Sequence, residues 1–429
     1  KAIINRLNYF ITLNENQEKT DYNLNDSVLF YQDKYEQFTK TIEKEYPKIY
    51  SLKYGERPLT VLQIQQQLPE DATFLAYCND AERYYCLSIS KHKIEYKVCG
   101  NVVFIDSLIE QQQQSITTKK ANTVAAVSLY NALLPDYLAH YVLLSPDGAI
   151  HQVAFDALKK TTESDYFIYS HPSFYAFSAA TYFHHSRAND NQKVVAFFPD
   201  FSHSQYAALQ TSAEKKTIRS FPEHQIYATE NAQKSNFINA AGSTGIIHIA
   251  THLLIDTTAP LQSYLMFQPI GDYKLSINEI WKMNINCQLV ALASCQSNFG
   301  KQQNGEGIQN FAWAFYYAGA HNILSTQWSA SDKAASAIIC NFYSNLKNGM
   351  NKQDALQTAK IAYLKNADAI GIQPYFWANF QLIGNFSEIT IAPTFFVKNW
   401  YLPILFCGFV LLSLLVFRSI YKRKRYAYP

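Results

Sequence analysis

The second half of the chain alternates short apolar runs with segments of helical periodicity. The apolar runs are VVAFF (194–198), IIHIAT (246–251), CQLVALAS (287–294) and HNILST (321–326). Apolar residues recur at helical spacing in the segments 230–240, 306–318, 332–347 and 352–366. Runs this short and this apolar are typical of strands buried on both faces of a parallel sheet. The pattern therefore predicts an α/β fold with a mainly parallel sheet flanked by helices.

The first half has a different texture. From Thr73 onward three strand-like runs, TFLAYCND, RYYCLSIS and KIEYKVCG, are separated by polar turns and predict an antiparallel meander. Helical patterns follow at 102–118 and 122–133, and a buried strand with a Pro-Asp-Gly turn and a return strand or loop is expected within 141–158. Residues 1–57 form a polar helical segment, interpreted either as the end of a repeat array or as a plain helical extension.

Near the C-terminus, residues 400–417 read WYLPILFCGFVLLSLLVF and contain no charged side chain. Eighteen residues span roughly 27 Å as a helix, close to the ~30 Å hydrocarbon core of a bilayer. A basic tail at 418–429 follows directly. The pattern favours a single transmembrane helix that contacts the lipid bilayer, after a linker at 387–399, over a buried core helix.

The charge on either side of this helix indicates an orientation. Because basic flanks stay in the cytoplasm, the positive-inside rule favours a cytoplasmic tail and an extracytoplasmic globular part. The alternative is late insertion of the tail with the globular part left in the cytoplasm. That route would carry the basic residues across the membrane.

The composition argues against a nucleic-acid partner. Charged residues make up 17% of the chain, and the formal net charge is +3. The 31 Tyr and 28 Phe are scattered through apolar patterns and do not alternate with basic residues as a base-stacking surface would. The seven cysteines include no CxxC pair, so a zinc site or a disulfide framework is not expected and most should be small buried residues.

Two reactive side chains follow apolar strands directly. His252 closes IIHIATH and Cys295 closes QLVALASC. If these strands are neighbours in a parallel sheet, both side chains emerge at the same edge, where an imidazole can take the thiol proton and make sulfur a nucleophile. The alternative is a structural role for each, since buried cysteine and core histidine are common.

The chain resembles a known family at these positions. The segments IIHIATH, LVALASCQS, GEGIQNFAWAFYYAGAHNILSTQWSASD, FYSNLKNGMNKQDALQTAK and PYFWANFQLIG are similar in content and order to the CHAT domain, a branch of the caspase and separase superfamily often joined to tetratricopeptide repeats. The similarity extends from about 58 to 386. It implies a caspase-like fold with an N-terminal pseudo-caspase half at 58–190 and a catalytic half at 191–386.

The resemblance also implies roles. His252 matches the family's catalytic histidine and Cys295 its nucleophile, while His248 has at most a supporting role. The backbone N–H groups of Leu253 and Cys295 would bind the oxyanion, without any metal or organic cofactor. Leu253 stands where the family usually has glycine, so its side chain could crowd the cleft or forbid the required φ.

The implied function is a membrane-anchored cysteine endopeptidase that cleaves a protein partner, controlled by an upstream sensor or tetratricopeptide-repeat protein. Asp256, Glu306 and Asp332 are candidates for a pocket that binds a basic substrate side chain; solvated loop charges, or a helix cap at Asp332, are the alternatives. The competing hypothesis is an inactive scaffold or protein-interaction module in signalling or defence, for which Leu253 is the main argument.

Overall fold

In a computed structural model of the chain, residues 22–45, 59–183, 190–202, 204–256, 262–293, 301–303, 307–329, 331–385, 388–389 and 391 are described. The strands are β1 Ala72–Asn79, β2 Arg83–Ser90, β3 Ile94–Asn101, β4 Tyr141–Ser145, β5 Ser173–Tyr175, β6 Val194–Phe198, β7 His224–Ala228, β8 Ile246–Ile249, β9 Leu253–Leu254, β10 Tyr264–Met266, β11 Lys274–Ser276, β12 Leu289–Leu292, β13 Lys301–Gln303, β14 Gly307–Gln309, β15 Asn322–Thr326 and β16 Phe380–Gly384. The α-helices are α1 Tyr22–Glu45, α2 Val61–Gln67, α3 Val102–Thr117, α4 Thr123–Leu133, α5 Ala179–Phe183, α6 Ser212–Arg219, α7 Lys234–Ala241, α8 Ile277–Trp281, α9 Phe311–Ala318, α10 Asp332–Lys347 and α11 Lys352–Asn366.

Eleven of these strands form one sheet in the order β3-β2-β1-β4-β5-β16-β15-β12-β8-β6-β7. The pairs β1–β2, β2–β3 and β15–β16 are antiparallel, and the other neighbours in this sheet are parallel. The prediction of a mixed α/β fold with a large, mainly parallel sheet is therefore confirmed. The meander predicted from Thr73 corresponds to β1–β3, at one end of the sheet.

Each face of the sheet is covered by its own hydrophobic cluster. Side chains alternate between the two faces along each strand, so that Ile247 and Ile249 of β8 join one cluster and Ile246 joins the other. The first cluster includes residues of α4, α7, α8 and α9, and the second includes residues of α2, α6, α10 and α11. Burial on both faces explains why β6 and β12 contain no polar residue.

The strands of the second half follow a doubly wound order. Numbered from β6 along the chain, β6, β7, β8, β12 and β15 lie side by side as 2-1-3-4-5. The chain leaves β6 toward one edge and leaves β8 toward the other. Connections that diverge in this way open a crevice beyond the carboxyl ends of β6 and β8. Open α/β sheets bind their ligands in such a crevice. The loops after β6 and β8 therefore border this crevice.

A buried ion pair joins helix α11 to the segment between β4 and β5. Lys360 of α11 contacts Asp156 with a distance of 2.5 Å between Nζ and Oδ2, and both side chains are almost fully buried. Lys360 Nζ also donates to the Phe380 carbonyl of β16, and the Ser173 hydroxyl of β5 donates to Asp156. The charges thus have several hydrogen-bond partners, as buried ions require.

Several predicted helix bounds are confirmed and two are corrected; the helix predicted at 230–240 begins at Lys234. Helices predicted at 332–347 and 352–366 match α10 and α11. The helix predicted from 306 begins only at Phe311, because Asn310 caps it: its side chain accepts a hydrogen bond from the Trp313 N–H at 2.8 Å. Where a return strand or loop was predicted within 141–158, the chain forms no strand but a loop with the short 3-10 helices Gly148–Gln152 and Phe155–Ala157.

The predicted membrane helix at 400–417 and the basic tail at 418–429 lie outside the described residues. Among the helices that are described, none combines the length and the apolar character needed to cross a bilayer. Of the N-terminal segment 1–57, the described part is helix α1, which agrees with its helical pattern.

Candidate active site

Strands β8 and β12 are parallel neighbours, as the sequence pattern required for a histidine–cysteine pair. Ile249 is paired with Leu292, and the ladder continues for one more residue because the Ala293 N–H donates to the Ile249 carbonyl at 2.9 Å. His252 lies three residues beyond Ile249, and Cys295 stands three residues beyond Leu292 in the sequence. The two candidates therefore follow paired positions with the same spacing.

The imidazole of His252 is held by a backbone carbonyl. Its Nε2 lies 2.7 Å from the carbonyl oxygen of Ala207, in the connection between β6 and α6. A carbonyl can only accept, so Nε2 carries the proton and donates it. In the neutral ring Nδ1 then keeps its lone pair and is the nitrogen available to act as a base. His252 and Ala207 lie together in the crevice between β6 and β8.

Two aromatic rings and one hairpin fix the position of His252. The centroid of the Phe201 ring is 4.7 Å from that of the imidazole, and the Tyr206 ring is 5.8 Å away. The backbone carbonyl of His252 accepts a hydrogen bond from the Met266 N–H at 3.0 Å, and the Thr251 hydroxyl donates to the Met266 carbonyl. Both the ring and the backbone of the histidine are thus restrained.

Leu253 does not require the backbone conformation of glycine. It is the first residue of β9 and pairs with Leu265 of β10. In the described chain, positive φ at non-glycine residues occurs only at Lys119 and Thr229, so Leu253 has an ordinary negative φ. Its half-buried side chain packs against the hydrophobic cluster. Leucine is therefore compatible with the backbone at this position.

Cys295 and Glu306 lie outside the described residues, so their candidate roles stay predictions. The described cysteines can be compared as nucleophiles. Burial raises the pKa of Cys86, Cys99 and Cys287 to about 12 in each case. Burial also raises the pKa of Cys78 and of Cys340. A thiol with a raised pKa is mostly protonated near neutrality and reacts slowly, so these five are poor nucleophiles.

The two described acidic candidates occupy different loops. Asp256 follows β9 and is half-buried, with its backbone N–H donating to the Ser263 hydroxyl at 3.0 Å. Asp332 is the first residue of α10 rather than its cap, since Ser331 holds the N-cap position. A carboxylate in the first turn is stabilised by the helix dipole. Their assignment to a substrate pocket stays a prediction.

His248 and its partners form a buried polar group between β8 and the helices α6 and α10. Its Nε2 lies 2.8 Å from Glu214 Oε2, and its Nδ1 lies 3.1 Å from the Tyr343 hydroxyl. The sequence did not reveal Ala207 or Glu214 as relevant. A backbone carbonyl has no sequence signature, and Glu214 stands in a charged helical segment that resembles a solvated face. Among the described residues, no group of three or more His, Cys, Asp or Glu side chains is arranged to hold a metal ion.

The chain is similar to several known proteins. It is 27% identical over 130 residues to mouse tetratricopeptide repeat protein 28 and 30% identical over 117 residues to the human protein, which corresponds to 30% and 27% of this chain. The chain spans about 5% of the length of these curated relatives.

Among solved structures, the chain is similar to the Arg-specific cysteine proteinase gingipain R, with 9% identity over 67% of this chain and 75% of that one and a TM-score of 0.42. It is also similar to the separase in the Saccharomyces cerevisiae separase–securin complex, with 12% identity over 89% of this chain and 27% of that one and a TM-score of 0.41.

A family model settles the relationship that the sequence motifs suggested. The model of the CHAT domain matches residues 123–385. The match covers more than half of the chain and begins later than the similarity expected from residue 58. It includes His252, Cys295 and every strand of the sheet from β4 onward. The chain belongs to the CHAT domain family.

Proposed function

We propose that this chain is a caspase-like cysteine endopeptidase in which Cys295 is the nucleophile and His252 the base. The observation that carries the proposal is the pairing of Ile249 with Leu292, which gives both candidates the same starting point at one edge of the sheet. Adjacent strands lie about 4.8 Å apart, so segments that continue side by side for three residues bring their side chains within reach of each other. Membership of the CHAT family supports the same pair.

The restrained imidazole suits the first chemical step. His252 donates from Nε2 to the Ala207 carbonyl, so Nδ1 accepts the proton of the Cys295 thiol. The thiolate attacks the carbonyl carbon of a peptide bond, and the backbone N–H groups of Leu253 and Cys295 stabilise the oxyanion. The imidazolium then protonates the departing amine, and water hydrolyses the thioester. The Ala207 carbonyl stabilises the imidazolium by keeping its hydrogen bond throughout.

The chemistry of the other thiols supports Cys295 as well. The five described cysteines have raised pKa values, whereas a cysteine beside an imidazole forms a thiolate near neutral pH. In the sequence, Cys295 directly follows the residues Ala293 and Ser294 beyond the end of β12. Because of the difference in pKa, a reactive electrophile should label Cys295 faster than the five described cysteines.

Cleavage of a diverse peptide library by the full chain tests the proposal. The matched variants are Cys295→Ala, His252→Gln and, as a control on an unreactive thiol, Cys287→Ala. Cleavage that disappears in the first two variants and persists in the third supports the endopeptidase. A chain that cleaves nothing, and whose Cys295 reacts with an electrophile no faster than Cys78, would instead favour the scaffold or interaction module.

We further propose that residues 400–417 anchor the chain in a membrane and that a protein partner with helical repeats controls it. The support is the uncharged run of 18 residues followed by a basic tail, together with the similarity to tetratricopeptide repeat proteins. Fractionation of cells that express the chain with and without residues 400–429 tests the anchor. Recovery of both forms in the same fraction would contradict it. Protease protection of the globular part then determines its side of the membrane.

A further inference from the structure

Two histidines, His248 in β8 and His252 just beyond that strand, contact the same connecting segment. His252 donates to the Ala207 carbonyl, and four residues earlier His248 contacts the Glu214 carboxylate. We call residues 204–214, which lead from the loop after β6 into helix α6, the orienting segment. Within this segment, Ala207 contacts His252 at the candidate site, and Glu214, seven residues later, contacts the buried His248 of β8.

The contact between His248 and Glu214 is buried, and both ring nitrogens of His248 have hydrogen-bond partners. The side chains of His248 and Glu214 are 0% and 6% exposed, and Tyr343 is also inaccessible to solvent. Burial and the nearby Glu214 charge raise the pKa of Tyr343 well above its ordinary value, so the phenol keeps its proton. A carboxylate oxygen accepts, so His248 Nε2 carries a proton and donates it to Glu214, while Nδ1 shares a second hydrogen bond with the Tyr343 hydroxyl. His248 thus joins β8 to α6 through Glu214 and to α10 through Tyr343.

The hydrogen bond between His252 and the Ala207 carbonyl depends on where the orienting segment lies. Residues 207–210 belong to no helix or strand, and Ala207 is exposed, so packing of its own side chain does not fix its carbonyl. The segment is restrained at one end by a turn in which the Ser204 N–H donates to the Phe201 carbonyl at 2.9 Å. At the other end it enters α6, whose first turn carries Glu214.

We infer that Glu214 and His248 are positioning residues: their buried hydrogen bond anchors α6 so that the Ala207 carbonyl meets His252 Nε2 and selects the tautomer with a basic Nδ1. Neither side chain touches the substrate. The inference deepens the proposed function and rests on it for its catalytic meaning, although the coupling between the two contacts can be measured without any activity. Because a buried polar contact has strict geometry, it specifies the position of α6 more narrowly than apolar packing alone.

The test is the tautomer of His252 in the full chain labelled with ¹⁵N-histidine. The ring-nitrogen shifts report which nitrogen carries the proton, and exchange with solvent reports how well that proton is held. In the wild type we expect an Nε2–H proton that exchanges slowly. Glu214→Leu should give a mixture of tautomers and exchange that is at least about tenfold faster. Glu214→Gln should restore the wild-type pattern, since the amide oxygen still accepts from His248.

Two controls separate positioning from stability. His321→Asn alters a buried histidine that directly precedes β15 and is hydrogen-bonded to Asn385, and it should lower stability without changing the His252 tautomer. The double variant Glu214→Leu with His248→Phe replaces the polar pair with apolar packing and keeps the fold if Glu214→Leu alone does not. We expect it to keep the altered His252 signal.

A wild-type tautomer in the folded Glu214→Leu chain or in the folded double variant would overturn the inference. Failure of the proposed function looks different. In that case no peptide is cleaved by the wild type, yet the His252 signal still responds to Glu214→Leu. Loss of cleavage in Glu214→Leu together with an unchanged His252 signal would also contradict the positioning role.

Discussion

Ile249 and Leu292 are directly paired at the carboxyl ends of adjacent parallel strands. His252 is three residues beyond Ile249, and Cys295 is three residues beyond Leu292. The two candidates therefore follow the paired positions at the same distance in sequence. The catalytic proposal therefore depends on sheet register. A shift of β12 by one residue would turn its side chains to the opposite face and separate the two candidates.

Leu253 gives a prediction about access to the site. We expect Leu253→Gly to lower the free energy of unfolding by about 2 kcal/mol, since it removes packing against the hydrophobic cluster and adds backbone freedom within β9. The rate at which an electrophile labels Cys295 should change by less than about threefold, because Leu253 already has a permitted φ. A large gain in labelling would show that the leucine shields the thiol.

Tyr206 gives a prediction about the orientation of His252. Tyr206→Ala removes one of the two rings beside the imidazole and should slow labelling of Cys295 by about three- to tenfold, equivalent to ~1 kcal/mol of lost positioning. Tyr206→Phe keeps the ring and should label like the wild type. Equal rates in all three chains would mean that Phe201 and the Ala207 carbonyl hold the imidazole without help.

The buried ion pair between Lys360 and Asp156 gives a prediction about stability. Lys360→Met leaves Asp156 as an uncompensated buried charge and should destabilise the fold by about 3–5 kcal/mol in chemical denaturation. The matched control is Lys40→Met, which breaks an exposed pair with Glu36 and should leave the free energy of unfolding almost unchanged. Similar losses in the two variants would contradict a special role for the buried pair.

Lys352 gives a prediction about pH. Burial lowers the pKa of its ammonium group from 10.5 to about 7, while in the unfolded chain the group stays protonated up to its ordinary pKa. Between these values the unfolded state binds more protons, so this group makes stability rise with pH from about 7 toward 10.5. Below the folded pKa both states are charged and the full burial cost remains.

Comparison of the wild type with Lys352→Met isolates that effect. The variant leaves the Asn322 side-chain oxygen and the Asn385 carbonyl without the lysine donor, a cost that does not depend on pH. The wild type should therefore gain stability relative to the variant as pH rises through this window, by at least about 1 kcal/mol. A pH-independent difference in unfolding free energy would show that Lys352 titrates normally.

Much of this fold follows from local patterns. The apolar runs that became β6, β8, β12 and β15 are buried on both faces, so their sequences carry a strong signal. His252 and Cys295 were predicted as a pair because each follows such a run. Helix α9 was predicted to begin several residues early, because the apolar pattern does not show that Asn310 caps it.

The supporting contacts could not be predicted in the same way. Ala207 acts through its carbonyl, which every residue possesses, and its meeting with His252 depends on how the β6–α6 connection folds over β8. Glu214 is buried because His248 and Tyr343 lie opposite it on other elements. Both depend on contacts between residues distant in sequence, which periodicity does not encode.

The histidine–cysteine pair is tested most directly by the pKa of Cys295, measured from the pH dependence of its alkylation in the wild type and in His252→Gln. We predict a pKa well below the ordinary value of about 8.5 in the wild type and a return toward that value when the imidazole is lost. A pKa of about 8.5 or higher in both chains would contradict the histidine–cysteine pair.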